Sequence, residues 1–140
     1  MKITIFGLTI SSSWGNGHAT PYRAIIKALC SAGHTVHFYE KDVPYYASHR
    51  DLVSSSFCEL HLYSDWPSAR RSALECAAYS DAIICASYCP EGARIIDDVL
   101  DLSGPVKDFY DLDTPVTIGS LERGQLDYLR YAQIPEFDLY

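Results

Sequence analysis

Ile3-Thr4-Ile5-Phe6-Gly7 is a short apolar run, and residues 22–32 repeat Ile25, Ile26, Leu29 and Ala32 at helical spacing. Between them lies a loop from Ser11 to Pro21 that carries Gly15, Asn16, Gly17 and His18. A strand that passes through a glycine-bearing loop into a helix commits a chain to few architectures. It also lets backbone N–H groups and a helix N-terminus face a polar ligand. Thr20 is the expected N-cap of this helix, Pro21 its first residue and Gly33 its stop.

The same alternation continues down the chain. Strands are predicted at residues 2–7, 34–40, 59–63, 81–86 and 106–110, and a sixth begins at 137–140. Helices are predicted at 67–78, with Asp65 or Trp66 near the cap, at 91–102, and briefly after Thr114-Pro115. The 42–56 segment is polar and aromatic-rich and reads as a loop with one helical turn. Asp81-Ala82-Ile83-Ile84-Cys85-Ala86 is apolar almost throughout, as a central parallel strand buried on both faces should be. Strands alternating with helices predict an α/β fold: a Rossmann-like parallel sheet of order about 3-2-1-4-5 with helices on both faces. A chain of 140 residues fits one such domain.

That order collects the loops 11–19, 41–50, 87–92 and 111–115 at the carboxyl edge of the sheet. They hold His18, Tyr45, Tyr46, His49, Arg50, Tyr88, Asp111 and Asp113. The opposite-edge connections are short and plain.

Composition narrows the function. A net charge of −7 argues against a nucleic-acid backbone or an anionic membrane as partner. No apolar run approaches a membrane span, and Met1-Lys2 leads directly into a strand pattern, so the expected location is cytoplasmic. Cys30, Cys58, Cys76, Cys85 and Cys89 are odd in number and read as free thiols of a reducing compartment. Cys58-Glu59-Leu60-His61 and Cys85 with Cys89 have ligand-like spacing, but neither repeats in a zinc pattern, and no metal site is expected. Asp97 and Asp98 read as solvated helix residues, and the paired acids of a phospho-receiver domain are missing after strand one.

Gly15-Asn16-Gly17-His18-Ala19-Thr20 carries two glycines of a dinucleotide fingerprint, with Thr20 where the third belongs. Glu40, at the end of strand two, stands where a ribose hydroxyl would be taken in that reading. A nucleotide- or dinucleotide-binding module is therefore one alternative. A non-catalytic partner domain, self-associating through its terminal strand, is another.

Gly17-His18-Ala19-Thr20-Pro21 is also a GHxxP pattern on the first β–α loop. With Phe6-Gly7-Leu8 and Trp14 to Arg23 around it, Asp42-Val43-Pro44-Tyr45-Tyr46-Ala47 with His49-Arg50-Asp51, and Phe109 to Pro115, the chain resembles the N-terminal domain of GT-B glycosyltransferases, the CgeB-like group in particular. The resemblance implies sugar transfer from a nucleotide-sugar donor to an acceptor hydroxyl. His18 matches the histidine that serves inverting members as general base, and Asp113 or Asp111 is the matching carboxylate that orients it. Ser12, Asn16, Gly17, Tyr45, Tyr46, Tyr88 and Asp111 are the expected acceptor-side contacts, the tyrosines by stacking on a sugar ring. Retaining relatives use the same loop without a base, which leaves the stereochemistry open. The likeness extends to a first domain alone. A nucleotide-sugar site is expected from a C-terminal domain or a second polypeptide, with no cofactor in this chain and no transfer by it in isolation.

Overall fold

Strand β1 (Lys2–Gly7) sits at the centre of a five-stranded sheet because both of its faces are apolar: Ile3 and Ile5 point one way, Phe6 the other. The computed structural model describes residues 1–52 and 55–140. Around β1 the strands β2 (Thr35–Lys41), β3 (Glu59–Tyr63), β4 (Ala82–Ala86) and β5 (Val106–Tyr110) pair in the order β3-β2-β1-β4-β5, all parallel. The order reverses between β1 and β4, where such sheets open a crevice at their carboxyl ends. The α/β fold and its strand order are those expected from the sequence.

Helix α1 (Ala19–Ser31) covers the Ile3–Ile5 face, burying Tyr22 and Ile26 against Val36 and Phe38. Helices α3 (Trp66–Ala78) and α4 (Gly92–Leu100) cover the other, where Trp66, Ala73, Ile95, Ile96 and Val99 pack on Phe6, Tyr39 and Ile83. A single turn, α2 (Pro44–Ala47), follows β2, and α5 (Thr114–Glu122) follows β5. Among the described residues no helix is long and apolar enough to cross a membrane.

Two local expectations are corrected and a third is narrowed. Helix α1 begins at Ala19, not after Thr20, because the Asn16 side chain accepts the His18 and Ala19 N–H groups and so caps it two residues early. Of the two expected cap candidates, Asp65 is the one that caps α3, its side chain accepting the Ser68 N–H at 2.9 Å. The predicted sixth strand is only a bridge: Leu139 pairs with Asp108 beside β5, after a 3-10 turn at Tyr131–Glu136 that contains Pro135.

Candidate functional site

The loop after β1 is held from beneath by Glu40. Its side chain is fully buried at the end of β2 and accepts hydrogen bonds from the Ile10 and Ser11 N–H groups (2.8 and 2.9 Å) and from the Thr9 and Ser11 hydroxyls. A carboxylate so committed is not available to a ribose, which removes the role the dinucleotide reading gave it. Further along, the Ser12 hydroxyl donates to the His49 carbonyl (2.8 Å), and Ser13 donates to Asp51 through both its N–H and its hydroxyl. Arg23 reaches the same Asp51 carboxylate and the Ile10 carbonyl. These contacts hold Asp51 well below the usual carboxylate range, the Arg23 guanidinium most of all.

Of the expected contact residues in this loop, Ser12 is buried and Asn16 is spent on the backbone, donating to the Ser12 and Trp14 carbonyls while capping α1. Gly15 has φ +62°, and a β-carbon there would fall 2.2 Å from the Tyr45 hydroxyl, so this glycine serves close packing. Gly17 faces open space.

His18, at the mouth of α1, is 8% exposed. The Tyr88 ring packs against it in a T-shaped arrangement, with ring centres 4.9 Å apart. Its Nε2 lies 3.8 Å from Asp113 Oδ2, within ion-pair range but beyond a hydrogen bond, and Asp113 is half exposed. Its Nδ1 is enclosed and has no hydrogen-bond partner among the described residues. Burial lowers the His18 pKa below its ordinary value, and the Asp113 and Asp111 carboxylates only partly oppose this. The imidazole is therefore neutral near pH 7. Asp111 accepts the Asp113 N–H at 3.1 Å and so shapes the turn that presents Asp113. Tyr88 adopts φ +61°, and partial burial together with the Asp113 carboxylate pushes its phenol above the usual value. An NMR titration of the His18 ring should give a midpoint below 6.5. Because the unfolded chain takes up that proton first, His18 costs stability only as pH falls below 6.5, and His18→Gln should flatten this part of the stability–pH curve.

Tyr46 and Tyr88 line a cleft of about 420 Å³ whose walls come from Leu8, Val116, Leu126 and Tyr128. Tyr45 stands apart and half exposed, edge-on to Tyr46 at 5.1 Å. Nothing in the sequence pattern marks the 125–128 segment as a wall. Tyr128 is buried there, its hydroxyl paired with Thr117 at 2.7 Å and its ring 5.2 Å from Tyr88. Gly92 permits this, since a β-carbon on it would lie 2.9 Å from Tyr128.

All five cysteines are free. Cys85 and Cys89 are buried in the α3–α4 core, and burial raises both thiols, that of Cys89 to about 12, so neither offers a ready thiolate ligand. Strand alternation splits Cys58-Glu59-Leu60-His61: Cys58 and Leu60 join the α1 side, while Glu59 and His61 face away from it. No protein-family model, curated protein or solved structure matches this chain.

Proposed function

We propose that this domain binds a sugar acceptor at the carboxyl edge of its sheet, beside His18, Tyr88 and Asp113. Completed by a nucleotide-sugar-binding domain or a partner polypeptide, it serves glycosyl transfer. The observation that supports this is a neutral imidazole with a carboxylate beside one nitrogen and, among the described residues, no hydrogen-bond partner on the other.

Closing the Nε2–Asp113 gap by about 1 Å would make a hydrogen bond. Nε2 then carries the proton, and Nδ1 keeps its lone pair free to take one from an acceptor hydroxyl. Asp113 stabilises the imidazolium that results. Nδ1 is enclosed, so its surroundings must open when an acceptor enters. The aromatic walls of the adjoining cleft, Tyr46 and Tyr88, suit the apolar face of a sugar ring. The dinucleotide alternative is weaker on two counts. Glu40 is consumed by the loop, and Asn16 occupies the first amides of α1 that a phosphate would need.

Amide and ring NMR shifts of the chain, titrated with a saccharide panel, nucleotide sugars and NAD, test the proposal. Saccharides should move His18, Tyr88 and Asp113 while NAD leaves residues 15–18 unmoved. NAD binding there with every saccharide silent would overturn it. In the completed enzyme, His18→Gln should lower kcat by about 10²- to 10⁴-fold.

A further inference from the structure

On the far side of the sheet from α1, the edge pair β2–β3 brings together three side chains that the site above does not use. The register sets His37 opposite Glu59 and Tyr39 opposite His61. His37 Nδ1 lies 3.1 Å from His61 Nε2 and 3.3 Å from Glu59 Oε2, and the last two atoms are 4.0 Å apart. A triangle with these sides has a centre about 2 Å from each corner, which is the length of a Zn–N or Zn–O bond.

We propose that His37, Glu59 and His61 bind a divalent transition-metal ion of the zinc type, as a three-ligand site with its remaining position open to water. Three acceptor atoms converge here. When both imidazoles are neutral, a proton on either nitrogen serves one neighbour and leaves the other lone pair facing its own kind. A cation at the centre satisfies all three at once. Two imidazoles and one carboxylate form a borderline donor set that suits zinc better than calcium or magnesium. The His61 ring is held in place by Tyr39, stacked at 4.4 Å and 12°. Glu59 is exposed and His61 half-buried, so an ion can enter from solvent. The nearby Lys2 ammonium acts against a cation, and the Glu59 charge offsets it. Cys58, the neighbour that sequence spacing suggested, turns to the opposite face and is not a ligand. Such an ion would tie edge strand β3 to β2.

Calorimetry of the whole chain with Zn²⁺ should show one ion bound per chain. The ring ¹⁵N signals of His37 and His61 should shift, while those of His18, His34 and His49 stay. Co²⁺ should give a tetrahedral or five-coordinate spectrum without a thiolate charge-transfer band. His61→Ala should weaken binding by more than about 100-fold, beyond the cost of losing an outer partner. Glu59→Gln, an exposed and fold-neutral change, should weaken it as well, whereas His49→Ala should not. The site is refuted if wild-type chain binds no zinc, if zinc leaves the His37 and His61 rings unshifted, if a thiolate band appears, or if folded Glu59→Gln binds as tightly as wild type.

Discussion

Glu40→Ala should destabilise the chain by more than about 3 kcal/mol, because it strands several buried donors together. The Ile10 and Ser11 N–H groups and the Thr9 and Ser11 hydroxyls all donate to this one carboxylate. Each orphaned donor costs about 1–3 kcal/mol, less than additively because the loop can relax. Against a total stability of about 5–15 kcal/mol this is a large loss. Glu40→Gln keeps one acceptor oxygen but turns an amide N–H₂ toward donors, so it should fall between alanine and wild type. The damage should reach the site. The loop that Glu40 supports leads directly to the Asn16 cap and to His18, so the His18 ring signals should broaden or split in Glu40→Gln. Urea denaturation reads the energies. A loss below about 1 kcal/mol for Glu40→Ala would mean that water replaces the carboxylate and that the loop holds itself.

Strand order and helix placement were legible because they depend on short-range pattern. The apolar run 81–86 reads as a central strand, and it is one. The sequence offers Asp113 or Asp111 as the carboxylate beside His18, and Asp113 lies within ion-pair range of it, since a parallel sheet gathers the loops at its carboxyl edge. What sequence missed depends on partners far along the chain. Only the dinucleotide alternative gives Glu40 to a ribose, and its position at a strand end is the same whether the carboxylate points to solvent or under the loop. Ser12 and Asn16 looked like contact residues, yet their polar atoms are used by residues 9–19 and 49. His37, on an alternating strand, gave no hint of Glu59 and His61, because register between two strands is not written in either one. Asp98 is the plainest case. It read as a solvated helix residue, whereas it accepts the Trp66 indole N–H at 2.7 Å.

That last pairing yields the second large effect. Trp66 is fully buried at the first turn of α3, edge-on to Phe6 at 5.7 Å and 6.3 Å from Tyr63. Trp66→Ala removes the largest side chain of this core and should cost about 3–5 kcal/mol. Trp66→Phe separates packing from hydrogen bonding. It retains most of the ring contact, and Asp98 is not orphaned, because Arg70 still donates to it through Nε and Nη2. The phenylalanine variant should therefore lose only about 1.5–3 kcal/mol, the net worth of one hydrogen bond to a charged acceptor plus a small gap. Equal losses in the two variants would place the energy in the indole–Asp98 bond rather than in the hydrocarbon. The geometry argues for hydrocarbon: the indole bridges the Phe6 and Tyr63 rings, so its removal opens the α3 side of the sheet beneath β1 and β3.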